Sequence, residues 1–332
     1  TRVDGHDFIP AVAAQGAAAV LVEKDVIAPE SVTVIRVPDV REAVQKLAPY
    51  FYDYPARKMR MIGITGTNGK TTTSYLIRAM LRDAGYKVGL IGTIQIMIED
   101  EVLPIHNTTP DVIDLQAALH LMAARGMDYV VMEVSSHALD QKRVAGCEFD
   151  TGVFTNLTQD HLDYHKTLEN YKAAKQKLFR MLGETGSVKT GKTAIANIDD
   201  AAGADMLSAA SCKKVSYAIE KAASLQAAAI DVRAGGADFS IHGDFGSLSL
   251  QLKITGIFNV YNVMAAVCAA LAEGLSPAAV KASLEKFRSV PGRFELVDEG
   301  QNFSVIVDYA HTPDGLENIL HTARQIAKKR II

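Results

Sequence analysis

A mixed α/β fold follows from three features of this sequence. Apolar strand-length segments alternate with helix-period segments, a glycine-rich turn at 63–71 joins one such strand to one such helix, and a period-2 segment interrupts the pattern near residue 250. Strand, crossover helix and strand in alternation build a mostly parallel sheet with helices on both faces. The period-2 segment adds antiparallel pairing, so the sheet is expected to be mixed at one edge. A chain of 332 residues exceeds what one core organises, and flanking domains are expected on either side of this sheet.

Residues 1–57 read as a small α/β module: a helix through Pro10 to Gly16, an apolar run Ala18 to Val22, a strand Val32 to Val37, and a helix opened by Asp39. Its opening loop, Val3-Asp4-Gly5-His6, follows Thr1 so closely that the module is expected to be incomplete. Tyr52-Asp53-Tyr54-Pro55 punctuates the chain and places a boundary near residue 57. The central domain, 58–293, begins with a strand Arg60 to Ile64, a turn Thr65 to Lys70, a helix Thr71 to Ala84 closed by Gly85, and a strand Lys87 to Ile91. Further strands are expected at Tyr129 to Val134, Gly152 to Thr155 and Thr193 to Ala196. Over Ser247 to Ile254, Leu248, Leu250, Leu252 and Ile254 alternate with polar neighbours, the signature of a half-exposed antiparallel strand. After Pro291-Gly292-Arg293, a strand Ser304 to Val307, a helix from about Asp314 to Ala327, and Ile331-Ile332 as the next strand predict the start of a Rossmann-like third domain, 294–332, left truncated.

Composition narrows the function classes. With 48% hydrophobic residues the chain is not intrinsically disordered. Lys+Arg number 35 against 38 Asp+Glu, a net charge of −3 with no basic block, so no nucleic-acid partner is expected. Cys147, Cys212 and Cys268 lie too far apart for a CxxC metal pair or a disulfide framework, which fits a reducing cytoplasm. The longest apolar stretches, such as Val263 to Ala272, fall short of the roughly 18 residues of a membrane span, and no membrane partner is expected.

The segment Gly63-Ile64-Thr65-Gly66-Thr67-Asn68-Gly69-Lys70-Thr71 sits between strand and helix, where a phosphate-binding loop belongs. Glycines let the backbone curl until its N–H groups converge on phosphate oxygens, the helix N-terminus adds positive potential, Lys70 supplies a mobile charge, and Thr71 a hydroxyl for Mg²⁺. The spacing departs from the usual pattern, since Ile64 stands five before Gly69 and the glycines fall at Gly63 and Gly66. Gly191-Lys192-Thr193 precedes a strand rather than a helix and reads as a solvated loop. The strand Tyr129-Val130-Val131-Met132-Glu133 ends in a carboxylate, which makes Glu133 the expected metal ligand.

Five ordered motifs then carry a family resemblance: Gly66-Thr67-Asn68-Gly69-Lys70-Thr71; His106-Asn107-Thr108-Thr109-Pro110; Glu133-Val134-Ser135-Ser136-His137; the run from Asn156 to His165; and Asp308-Tyr309-Ala310-His311-Thr312-Pro313-Asp314. Together they resemble the Mur ligases, and within that family the members that add a diamino acid. The resemblance implies ATP-dependent amide-bond formation in bacterial cytoplasmic peptidoglycan synthesis. UDP-MurNAc-L-Ala-D-Glu would be phosphorylated on its free carboxylate, and the amine of meso-diaminopimelate or L-lysine would attack the acyl phosphate, releasing ADP and phosphate. A monomer is implied.

For the site, the resemblance implies ATP held by Gly66, Thr67, Asn68, Gly69, Lys70, Thr71 and Thr72, with Asn259 and Asn262 near adenine and Arg293 and Asp308 near phosphate and ribose. It implies two Mg²⁺ ions, one on Thr71 and Glu133 and a second on His161 and Lys175, the latter carrying a CO₂-derived carbamate. Substrate would meet Asn107, Thr108, Thr109, Ser135, Gln141 and Arg143. Lys70, Glu133, His161 and Lys175 would be catalytic.

Several of these residues have ordinary alternatives. On the helix Leu168 to Arg180, Leu168, Tyr171, Leu178 and Phe179 form an apolar face into which Lys175 falls, while Lys177 points away and Lys172 lies at the edge. An inward lysine either snorkels to solvent or changes its chemistry. His161 or His165 could satisfy loop hydrogen bonds, Thr108-Thr109-Pro110 could cap a helix starting at Val112, and His311 could cap the helix that follows it. A kinase acting on a hydroxyl, a folylpolyglutamate-synthase-like ligase and a non-catalytic scaffold are the competing functions.

Overall fold

The computed structural model describes residues 4–332 apart from 106, 185, 234, 298, 302, 328 and 329. Thr1, Val3 and His106, named above, therefore lie outside the described residues. The first module contains α1 (Ile9–Ala14), β1 (Ala19–Val22), β2 (Thr33–Arg36) and α2 (Val40–Phe51). β1 and β2 pair in parallel, and Asp39 starts α2 by accepting from the Glu42 amide at 2.8 Å.

The next stretch holds β3 (Arg60–Thr65), α3 (Lys70–Asp83), β4 (Val88–Ile91), β5 (Ile96–Ile98), β6 (Glu101–Leu103), α4 (Val112–Ala124), β7 (Tyr129–Glu133) and α5 (Ser136–Asp140). It continues with β8 (Thr151–Phe154), α6 (Leu162–His165), α7 (Leu168–Met181), β9 (Thr193–Asn197), α8 (Gly203–Ser208), β10 (Lys213–Ala218) and β11 (Leu225–Arg233). β12 (Gly236–Gly243), β13 (Gly246–Leu252), α9 (Ile257–Ala272) and α10 (Pro277–Leu284) complete it, and β14 (Glu295–Val297), β15 (Val305–Val307) and α11 (Pro313–Ile326) follow.

The strands β3 to β13 share one sheet in the order β13-β12-β11-β10-β9-β8-β3-β7-β4-β5-β6. The middle of the sheet, from β11 to β4, is parallel. Every residue of β7 and β8 is buried, the continuous apolar run that coverage on both faces demands. Along β3, Met61 belongs to the core cluster that includes Leu115 of α4 and Leu178 of α7, while Ile62 and Ile64 belong to the cluster that includes Leu76 of α3 and Val263 of α9.

The sheet is mixed at both edges, not at one. β12 and β13 pair antiparallel as the alternation at 247–254 predicts, but β5 and β6 add a second antiparallel hairpin beyond β4. Each of these two strands is three residues long, too short to show a period. Ile331 and Ile332 pair with no strand, so the expected strand there is not found. Lys192 also departs from expectation: it precedes a strand, yet is only 8% exposed. Among the described residues no helix is long and apolar enough to cross a membrane.

Candidate active site

β3 and α3 are joined by a turn at the carboxyl end of the parallel strands, where a doubly wound sheet opens its binding crevice. Two of its glycines are obligatory. Gly66 has φ +152° and a Cβ there would stand 1.9 Å from Thr155 Oγ1, while Gly69 has φ +86° and a Cβ would stand 2.2 Å from Asn262 Oδ1. The turn is pinned from β8: Thr155 Oγ1 donates to Asn68 O at 2.6 Å, the Asn68 amide donates to Asn156 Oδ1 at 2.8 Å, and the Thr67 amide donates to Asn156 O at 2.9 Å. Gly66→Ala should therefore abolish nucleotide binding, which titration with ADP would measure; affinity within threefold of the parent would mean that the turn tolerates the intrusion.

Lys70 begins α3 with its Nζ folded back on the turn, donating to Gly66 O at 2.9 Å and Thr67 O at 2.7 Å. Burial pushes its ammonium pKa down, helped by Arg293 and opposed by Glu133. Its Nζ contacts are backbone oxygens, with Glu133 and Asp160 acting on it from farther away.

Glu133 ends β7, next to β3, and is fully buried. Its Oε2 accepts from Thr71 Oγ1 at 3.1 Å and Thr93 Oγ1 at 3.0 Å, and its Oε1 accepts from the Thr93 amide at 2.9 Å. Thr93 escaped the sequence reading because nothing in Ile91-Gly92-Thr93 marks it as chemistry; its place just after β4, the other neighbour of β7, is the only signal. Among the described residues there is no group of three His, Cys, Asp or Glu side chains able to hold a metal. Mg²⁺ does not require one, because it keeps several waters and takes one or two carboxylates plus substrate phosphates, so the Thr71 hydroxyl and Glu133 carboxylate fit it.

Across the turn, Arg293 Nη2 donates to Thr71 Oγ1 at 3.1 Å, and the guanidinium lies 4.8 Å from the Tyr309 ring centre. Its Nε is buried with no acceptor among the described residues. An orphaned donor of this kind is expensive unless a ligand completes it.

Lys175 is the most unusual side chain. On α7, started by the Thr167 cap, Tyr171, Ala174, Lys175, Leu178 and Phe179 are buried, whereas Leu168 is exposed and does not belong to the apolar face. Lys175 is 1% exposed, which rules out snorkelling. Its Nζ donates to Gly66 O at 2.8 Å and lies 4.2 Å from the Tyr171 ring centre, with no carboxylate partner among the described residues. Burial pushes its pKa well below the lysine range, and neighbouring Lys70 pushes the same way. Lys172 and Lys177, by contrast, pair with Asp205 and Asp140.

His161 stands in the left-handed region, φ +53°, at the start of α6, with its ring 4.7 Å from His137 and 6.0 Å from Tyr171 between centres. Burial lowers its pKa against the opposing pull of Asp160 and favours neutral imidazole. His165 is buried at 2.9 Å from Ser136 Oγ and serves the loop's own hydrogen bonding.

The expected substrate residues cluster beside Glu133, but their hydroxyls are partly committed. Thr109 Oγ1 donates to Glu133 O at 2.9 Å and accepts from the Ser135 amide at 3.1 Å; Ser135 Oγ accepts from the Ala138 amide as cap of α5. Thr108 Oγ1 is 3.1 Å from Thr93 Oγ1, and Asn107 is exposed. Arg143 donates to Thr109 O and Gln141 Oε1 and pairs with Asp111 at 2.9 Å. Neither Thr108 nor Thr109 caps α4, whose N-cap position is Asp111.

A cavity of about 410 Å³ lies against the other side of the turn, lined by Asn68, Gly69, Thr72, Asn262, Arg293 and Asp308 among others. Asn259 is not on its wall. It stands behind Asn262, accepting from Asn262 Nδ2 at 3.0 Å and donating to Thr255 O at 2.8 Å, so it positions its neighbour. Asp308 accepts from the Phe294 and Ala310 amides, and His311 lines the cavity while Thr312 caps α11.

Three family profiles cover this chain: the Mur ligase family catalytic domain over residues 1–52, the Mur ligase middle domain over 64–270, and the Mur ligase glutamate ligase domain over 292–332. It is 48% identical over 326 residues to a UDP-N-acetylmuramoyl-L-alanyl-D-glutamate–2,6-diaminopimelate ligase of Bacillus cereus, covering 98% of this chain and 66% of that one. A protein of the same name from Geobacillus thermodenitrificans is 46% identical, with 99% and 67% covered. A solved structure bearing that ligase name superposes with TM-score 0.81 at 33% identity, over 97% of this chain and 65% of the other. MurF of Acinetobacter baumannii, at TM-score 0.74 and 23% identity over 98% of this chain and 67% of its own, shares the fold. The chain thus spans about two thirds of the length of these relatives. With profiles and relatives matching from end to end of the sequence, the chain belongs to the Mur ligase family.

Proposed function

We propose that this chain carries the ATP-binding and carboxylate-activating part of a ligase that adds a diamino acid to UDP-MurNAc-L-Ala-D-Glu. The observation that carries the reading is the convergence of Lys70 and Lys175 on one carbonyl, Gly66 O, beside a phosphate-loop turn and a buried Glu133. Two lysine side chains on one backbone oxygen, Lys70 as a mobile cation and Lys175 as a buried amine, suit a site that gathers phosphate and carboxylate groups. The relatives' name supports 2,6-diaminopimelate as the amine.

In this reading the substrate carboxylate oxygen attacks the γ-phosphorus of ATP, the bond to the β-phosphate oxygen breaks, and ADP leaves. The incoming amine attacks the acyl phosphate carbonyl, loses a proton, and expels inorganic phosphate. Bound Mg²⁺ would neutralise charge on the phosphates from Thr71 and Glu133, with a second ion served by His161 and Lys175. Lys70 leaves its loop carbonyls for the β- and γ-phosphates, the orphaned Arg293 Nε gains an oxygen acceptor, and the Asn68 and Thr72 side of the turn faces nucleotide. Arg143, held by Asp111 and Gln141, orients the peptide end of the substrate.

Lys175 fits a carbamate. Its amine is buried, favours the neutral form and has no acidic hydrogen-bond or ion-pair partner among the described residues, and CO₂ adds only to a neutral amine. The product anion would relieve the two-lysine contact by pairing with Lys70. A bacterial cytoplasmic location follows from the substrates.

Hydroxylamine tests the reaction class. With ATP and the UDP-linked dipeptide, on a chain of the relatives' length, a hydroxamate should accumulate in step with ADP, because only an acyl phosphate is trapped this way. ADP release without hydroxamate, or phosphate appearing on a hydroxyl, would favour a kinase and sink the ligase reading.

A further inference from the structure

A second cavity, about 500 Å³, opens at the end of the sheet opposite the active site. Its wall takes Arg57 from just before β3, Glu148 from before β8 and Lys192 from before β9, which are the amino ends of three adjacent parallel strands. The last two turns of α7 add Lys177 and Arg180, the loop after α5 adds Lys142, and Leu139, Val144 and Met181 supply an apolar floor.

Five cations thus face two carboxylates, Glu148 and Glu184, and the pairing is uneven. Glu148 is satisfied by Arg57, the Ser187 hydroxyl and the Val188 amide; Lys177 is held by Asp140. Among the described residues Arg180 donates only to Gln176 Oε1, and Lys142, exposed and in the left-handed region, has no hydrogen-bond or ion-pair partner for its side chain. Lys192 is the decisive one. It is 8% exposed, lines the cavity, and has no hydrogen-bond or ion-pair partner among the described residues. Lys177 and Arg180 have an ordinary reason to end a helix, since cations complement its dipole, but Lys192 is on no helix. Its stem is covered while its ammonium reaches solvent at the cavity, the arrangement of a lysine that packs its carbons and keeps its charge available.

We propose that this cavity is a binding site for a small phosphate-bearing anion, separate from the nucleotide site, with the unpaired ammonium of Lys192 facing it and Arg180 and Lys142 at its rim. A ligand with two or more negative charges and a modest apolar portion matches the uncompensated cations above the apolar floor. Its place at the amino ends of the strands keeps it clear of the reacting groups, so occupancy would act on stability or on the setting of α7, the helix that carries Lys175. Cys147 on the same wall is no nucleophile, because burial pushes its thiol up to about 12.

The test uses pyrophosphate as the probe, with the nucleotide site separately filled by ADP and Mg²⁺ or disabled by Lys70→Met. In both settings calorimetry should find one pyrophosphate site, and bound pyrophosphate should raise Tm. Lys192→Met, which keeps the stem and removes the charge, should weaken that site at least tenfold; Arg180→Gln should weaken it by a smaller factor. ADP affinity should be unchanged in both variants. No binding once the nucleotide site is filled, or binding that Lys192→Met and Arg180→Gln leave within twofold, would overturn the proposal. An equal response to chloride at matched ionic strength would also overturn it, since that is screening rather than a site.

Discussion

Lys175→Ala should lower ligase turnover by roughly 10²–10³-fold, the scale of losing one preorganised charged group, while ADP affinity stays within threefold. Among the described residues Lys175 hydrogen-bonds to the turn only at Gly66 O, which Lys70 also serves, so nucleotide recognition should survive its loss. Small carboxylates such as acetate should restore part of the activity by occupying the vacated position. Unchanged kinetics would remove Lys175 from the site. Mass analysis should find one CO₂ on the parent in bicarbonate and none on the variant.

The same residue makes a stability prediction whose sign can be worked out. The folded pKa is depressed, so the unfolded chain takes up a proton that the folded chain sheds, and stability rises with pH toward the ordinary lysine range. In bicarbonate-free buffer Lys175→Met should therefore exceed the parent in stability at neutral pH. That advantage should shrink as pH climbs; denaturant melts at several pH values measure it, and a constant difference would contradict the buried-amine account.

Glu133→Gln is the second large effect, again roughly 10²–10³-fold on turnover. The amide oxygen still accepts from the Thr93 amide, and the threonine hydroxyls of Thr71 and Thr93 can turn to accept from the new NH₂, so the fold survives. What is lost is charge. Mg²⁺ should no longer strengthen ADP binding, whereas affinity measured in chelator should match the parent. Retained Mg²⁺ enhancement would place the ion elsewhere.

Much of this architecture was legible because its strands are fully buried and its turns chemically marked. β3, β7, β8 and β9 read as apolar runs, and Asp39, Gly85 and the 247–254 alternation declared their roles locally. The β5–β6 hairpin did not, since three-residue strands carry no period and Glu99 at its turn is not a residue that favours positive φ. Lys175 was legible by periodicity as inward-facing, but its fate depended on depth, which one helix cannot reveal. Thr93, Thr155 and Asn156 were harder still as site residues. Each acts from the end of a strand adjacent in space but distant in sequence, so strand order had to be known before their hydrogen bonds to Glu133 and the turn could be inferred.

The contact from Arg293 to the Thr71 hydroxyl joins the segment leaving the large sheet to the first turn of α3. In the proposed reaction a triphosphate entering the turn would meet that guanidinium and Lys70 together, so nucleotide loading would be felt at residue 293, where the chain leaves the large sheet.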